Sequence, residues 1–84
     1  MTSVIRVLLF GRLRDVAGWR ERSYRPAPES LSALKAIIAA EDATLAVALE
    51  GPGVRAAVDQ ALVQGDAALR PGAEVAFMPA MSGG

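Results

Sequence analysis

The sequence predicts an α+β domain, a mixed sheet packed on one main helix. Three observations predict it: an alternating strand pattern near each end of the chain, a capped helical stripe between them, and turn residues at the breaks. From Val4 to Phe10, β-branched and large apolar residues read as a strand with Ile5, Val7 and Leu9 on one face and Arg6, Leu8 and Phe10 on the other. Gly11 to Gly18 reads as a loop with a turn, and Arg20 to Arg25 as a more polar second strand, making a β-hairpin that Pro26 and Pro28 end. Ser30 offers an N-cap ahead of Leu31, Leu34, Ile37 and Ile38, a stripe on one helical face, while Ala36, Ala39 and Ala40 add helix propensity. A shorter helix is expected over Thr44 to Glu50, stopped by Gly51-Pro52-Gly53. Arg55 to Asp59 and Ala61 to Val63 read as short strands. Arg70-Pro71-Gly72 is a turn with Pro at i+1 and Gly at i+2, and Val75 to Pro79 reads as the closing strand. This order fits a β-grasp, the ubiquitin-like architecture, as one domain over 1–84 without repeat, linker or low-complexity segment.

Composition narrows the function classes. At 84 residues and 52% hydrophobic, the chain is long enough for one modest core. Its formal net charge is zero, which removes the electrostatic footprint of a nucleic-acid-binding protein. Arg6, Arg12, Arg14, Arg20, Arg22 and Arg25 do crowd the first third, but only Trp19 and Tyr24 interleave with them. That pattern fits a solvated hairpin face, or a docking surface for an acidic partner, better than a stacking platform for bases. Cysteine and histidine are both absent, which removes disulfides, thiolate nucleophiles, most zinc sites and the commonest general base. No apolar run reaches the length of a membrane span and no cleavable signal pattern opens the chain, so a cytoplasmic protein with no membrane partner is expected.

With side-chain catalysis hard to assemble, the last residues draw the chemistry. The sequence closes on Gly83-Gly84, after the last strand. Two residues without Cβ form a thin, flexible tail that can enter a channel too narrow for larger residues. The group such a tail presents is the α-carboxylate of Gly84. A carboxylate resists nucleophiles until it is activated, and adenylation makes an acyl group that sulfur or nitrogen can displace. Strand alternation adds a surface. If Val75 and Phe77 face the core with Ile5, Val7 and Leu9, then Leu8, Phe10 and Met78 lie on the opposite face, where Arg6 argues for solvent. Uncovered Phe and Met side by side point to a protein-docking patch.

The opening run from Ile5 to Gly18, IRVLLFGRLRDVAG, the middle run from Ala56 to Val63, AAVDQALV, and the closing run from Leu69 to Pro79, LRPGAEVAFMP, followed by Ser82-Gly83-Gly84, resemble the small, sulfur-carrying subunit of molybdopterin synthase. The resemblance covers nearly the whole chain. It implies a ubiquitin-like sulfur carrier whose terminal glycine is adenylated by an E1-like adenylyltransferase and converted to a thiocarboxylate with sulfur from a donor protein. The carrier then supplies that sulfur to cyclic pyranopterin monophosphate in the large synthase subunit, in molybdenum cofactor biosynthesis. By the same resemblance Gly84 carries the sulfur, Gly83 gives clearance, and Phe10, Leu62 and Met78, with Leu8 beside them, bind partners. The resemblance implies no cofactor or metal on this chain, ATP and Mg being used by the activating partner. It also implies a heterotetramer in which two carriers flank a dimer of large subunits. Two departures are visible: Met78 stands where an aromatic is common, and Ala80-Met81 replaces a Pro and Val, which makes for a less stiff tail.

Three other readings compete. A carrier for thiamin thiazole synthesis would share the chemistry, although such chains usually lack the segment around Thr44 to Glu50. A carrier for tRNA thiolation or a protein modifier would be distinguished by amide links to lysines of other proteins. A plain β-grasp interaction module predicts that removing Gly84 changes nothing.

Overall fold

The computed structural model describes residues 3–80. Gly83 and Gly84, the expected carrier tail, therefore lie outside the described residues. The elements run β1 (Ile5–Leu9), α1 (Arg12–Ala17), β2 (Glu21–Tyr24), α2 (Leu31–Glu41), α3 (Ala43–Leu49), β3 (Arg55–Val58), β4 (Ala61–Val63) and β5 (Glu74–Met78). The five strands form one mixed sheet in the order β2-β1-β5-β3-β4. Its centre is the parallel pair β1 and β5, with Val7 opposite Val75 and Leu9 opposite Phe77, and the other pairings are antiparallel. This is the β-grasp: the first and last strands lie side by side and the helices cover one face.

The core follows from period two meeting period 3.6. Ile5, Val7, Leu9, Val75 and Phe77 all point to the helical side and are at most 2% exposed. Onto them α2 lays Leu31, Leu34 and Ile38, and α3 adds Leu45 and Leu49. Among the described residues the buried set contains no polar or charged residue. Ile37, expected on the core stripe, is 38% exposed. It sits one residue off the Leu31, Leu34, Ile38 line, and 100° of helical rotation carries it to the rim.

Caps explain the helix boundaries. The Ser30 hydroxyl accepts from the Ala33 N–H at 3.1 Å, as its sequence position predicts. A second cap comes from far along the chain: the Asp66 carboxylate accepts from the Ser32 N–H and hydroxyl, both at 2.8 Å, and from the Ala67 N–H. These hydrogen bonds, led by that from the Ser32 hydroxyl, hold the Asp66 carboxyl below the usual aspartate range. Asp42 both ends α2, donating its N–H to the Ile38 carbonyl, and opens α3, accepting from the Leu45 N–H at 3.0 Å.

Two expectations are corrected. Gly11 to Gly18 is not a loop but carries α1, and β1 and β2, though antiparallel neighbours, are joined through that helix rather than by a hairpin turn. With α1 the sheet carries three helices, of which α2 is the longest. At six residues α1 is too short to hold itself. It is anchored by Leu13, 2% exposed and packed toward α3, and closed by Gly18, whose N–H donates to the Arg14 carbonyl at 2.8 Å. The β3 strand also ends one residue early: Asp59 and Gln60 take φ of 48° and 71° as the two central residues of a tight β3–β4 turn. The Arg70-Pro71-Gly72 turn stands as expected, with the Ala73 N–H donating to the Arg70 carbonyl at 3.0 Å.

Candidate functional site

The register of the sheet assembles its outer face row by row. Leu8 pairs with Ala76 across β1 and β5, Ala76 with Ala57 across β5 and β3, and Ala57 with Leu62 across β3 and β4. Paired residues point to the same side of a sheet, so a leucine stands at each end of this row with two alanines as its floor. The next row toward the end of β5 holds Met78, paired with Arg55, and beside it Phe10, whose N–H donates to the Phe77 carbonyl at 3.1 Å. Phe10 is 46% and Leu62 60% exposed, whereas Leu8 and Met78 are half-buried. All four residues singled out from the sequence therefore lie on one face, opposite the helices. Ala57, buried at the floor of this face and outside the main core, was not among them.

The opposite end of the same face is polar. Arg6 forms a charge-assisted hydrogen bond with Glu74 and lies 3.7 Å from Glu21. Next to them, the Asp59 carboxylate accepts from the Glu74 N–H at 3.0 Å. Arg6 thus has partners of its own on the sheet. Of the other arginines in the first third, Arg22 reaches Glu41 at 3.5 Å and lies 4.7 Å from the Trp19 ring centroid. Arg12, Arg14, Arg20 and Arg25 are exposed on and around α1 and β2, and no ion pair engages them among the described residues.

Phe10 and Met78 sit at the end of the sheet from which the chain continues toward Gly84, with Leu8 and Leu62 one row back. Beyond Met78, Pro79 lies against Gly11 and Ala80 against Gly53. A cavity of about 250 Å³ opens beside them, walled by Leu13, Val16, Ala48, Pro52 and Val54. A larger groove of about 460 Å³, between α2 and β3–β4, runs from Gly53 and Val54 to Gly65 and Asp66. Its Asp66 is engaged by Ser32 and its Lys35 lies 3.3 Å from Glu50. Among the described residues no group of three or more Asp, Glu, Cys or His could hold a metal ion, and no helix is long and apolar enough to cross a membrane. The geometry offers a surface and an exit for the chain rather than an assembled catalytic pocket.

Comparison with known proteins bears on which chemistry this scaffold serves. The chain is 37% identical over 81 residues to the molybdopterin synthase sulfur carrier subunit of Escherichia coli (strain K12), covering 96% of this chain and 100% of that one. Small archaeal modifier protein 1 from Haloferax volcanii superposes with a TM-score of 0.82 at 19% identity, over 96% of this chain and 99% of that one. The Methanosarcina acetivorans protein of the same name gives 0.80 at 19% identity, over 100% and 99%. Identities this low speak to the shared fold alone. Residues 7–84 match the ThiS family, and with the similarity over the whole length of the bacterial subunit, the chain belongs to that family.

Proposed function

We propose that this protein is the sulfur carrier subunit of a molybdopterin synthase, and that its Gly84 carboxylate is the atom group that is charged. In the activating partner, an E1-like adenylyltransferase, the carboxylate attacks the α-phosphorus of ATP, held with Mg, and pyrophosphate leaves. Sulfur at the sulfide level from a sulfur donor protein then attacks the acyl carbon, the bond to AMP breaks, and the product is a thiocarboxylate. In the large synthase subunit that sulfur passes to cyclic pyranopterin monophosphate, and water at the acyl carbon restores the Gly84 carboxylate. Gly83 gives the clearance for entry, and the chain's own part is delivery: a rigid face docks while the end of the chain reaches the partner's site, which raises the effective concentration of sulfur there. All of this takes place in the cytoplasm.

One observation carries the reading: the outer apolar face of Leu8, Phe10, Leu62 and Met78 runs from the middle of β5 to Phe10 and Met78 at the end that leads to Gly84, in a chain 37% identical to a molybdopterin synthase sulfur carrier along that carrier's whole length. A docking face beside the exit of the chain is what delivery requires, and a plain interaction module has no need of the second part.

Native mass spectrometry of the protein, untagged at its C-terminus and isolated from its own cells, tests it. An oxygen-to-sulfur mass increase on the Gly84 fragment, in complex with a large synthase subunit, is the expected result. The same increase with a thiazole synthase or a tRNA-modifying enzyme bound instead would move the carrier to another pathway. An unmodified carboxylate with neither an activating nor a sulfur-accepting partner would overturn the reading.

A further inference from the structure

Among the described residues five glycines take positive φ, and of these only two face another segment closely. A Cβ built on Gly53, at φ +81°, would stand 2.6 Å from the Ala80 Cβ and 3.3 Å from its Cα. One built on Gly11, at φ +55°, would stand 2.8 Å from the Pro79 Cγ. Gly18, Gly65 and Gly72, also at positive φ, have nothing within 4 Å of the same constructed atom. The first two are therefore not simply turn residues; each leaves a space that the chain beyond β5 fills.

Topology explains why both lie there. β5 is central, parallel to β1 and antiparallel to β3, so the end of β1 and the start of β3 flank the end of β5. Gly11 follows β1 by two residues and Gly53 precedes β3 by two. Together they form a slot whose two walls lack side chains. The Gly53 wall is the stricter one. The Ala80 Cβ is fixed to the backbone, so relief of a 2.6 Å contact requires the main chain at Ala80 or at residue 53 to move, whereas the Pro79 ring can pucker away.

We propose that Gly11 and Gly53 are positioning residues that set the direction in which the chain leaves β5 at Pro79 and Ala80, beside the apolar docking face. Its consequence for activity rests on the sulfur-carrier reading; the geometric claim does not. A docked carrier has one approach to its partner's site, and a shift at Pro79 and Ala80 moves the point from which the rest of the chain starts toward that site. Losing that alignment lowers transfer without removing any group that touches the reacting atoms.

The chain contains no cysteine, so a single one introduced at Val47, which is 74% exposed on α3, can carry a nitroxide whose broadening of the Met78 and Ala80 amide resonances reads the direction in which the chain leaves β5. Gly53→Ala is expected to change that broadening profile and to slow single-turnover charging of Gly84 by about tenfold or more. Gly65→Ala imposes a comparable positive-φ strain with no neighbour in reach, and should keep the parent profile and rate. Adding Ala80→Gly to Gly53→Ala removes the nearer clash and should return the profile toward the parent. A Gly53→Ala profile that superimposes on the parent, an equal change in Gly65→Ala, or no recovery on adding Ala80→Gly would each overturn the proposal. If the profile shifts and recovers as expected while even the parent is never charged, the positioning role stands and the sulfur-carrier reading falls.

Discussion

Truncation of Leu62 and Phe10 to alanine probes the outer sheet face most directly, because both side chains are exposed and lie outside the core, at 60% and 46% respectively. Full burial of a Leu or Phe side chain stabilises by about 1.5–3 kcal/mol. The share still open to water therefore leaves about 0.9–1.8 kcal/mol at Leu62 and about 0.7–1.4 kcal/mol at Phe10 to be gained on docking. Each single truncation should weaken the Kd for the large synthase subunit by about 3- to 20-fold. Leu62 on β4 is three strand spacings from β1, about 14 Å, so the two losses should add, to roughly 15- to 200-fold in the double variant. Isothermal titration calorimetry at fixed salt measures this, with thermal unfolding alongside. Leu62→Ala loses the covered two fifths of its side chain, about 0.6–1.2 kcal/mol, and should lower Tm by roughly 3–8 °C. Phe10→Ala also loses contacts of the covered half of its ring, about 1 kcal/mol, or roughly 4–8 °C for a domain of this size. Val47→Ala, at 74% exposure on the opposite, helical side, is the control for nonspecific loss of apolar surface. The reasoning is refuted if both truncations bind within about twofold of the parent, or if Val47→Ala weakens binding as much as they do.

Two further outcomes concern the scaffold. Because the Asp66 carboxyl titrates below its usual range in the folded protein, its contribution is full above the ordinary aspartate range and is lost as pH falls through the folded value. Asp66→Asn should therefore lower Tm at neutral pH, and the gap to the parent should shrink on acidification; a gap independent of pH would show that Asp66 does not cap α2 as an anion. Gln60 holds φ at 71° in the β3–β4 turn, a conformation that costs a side-chain-bearing residue more than glycine. Gln60→Gly should stabilise by roughly 0.5–1 kcal/mol after its own entropy cost, read as a higher denaturation midpoint with unchanged m, and a lower midpoint would contradict the turn assignment.

Much of the fold was legible because its signals are local. In β1 the contrast between Ile5, Val7 and Leu9 and their neighbours declares a two-sided strand, and Ser30 followed by Leu31 and Leu34 declares the start of α2. α1 was hidden because its six residues carry one buried anchor, Leu13, and no side-chain cap, so charged Arg12, Arg14 and Asp15 read as loop. The candidate site divides the same way. Leu8, Phe10 and Met78 follow from alternation in well-marked strands. Leu62 came only from family resemblance, since a three-residue strand gives too little period to fix its facing, and it is the pairing with Ala57 that puts it on the outer face.

By itself the sequence determined most of the kinds of element, the apolar faces they must bury, and the absence of cysteine and histidine. Each of these depends on residues within a few positions of one another. The tertiary structure decided which distant residues meet: Val7 with Val75, Asp66 with the start of α2, and Gly11 and Gly53 with Pro79 and Ala80. Gly51-Pro52-Gly53 reads locally as a helix stop, and nothing near it in sequence shows that a chain segment must pass where a side chain would have been. That requirement arises only when the first and last strands close side by side, because the space at the end of a central strand belongs to neighbours contributed by both halves of the chain.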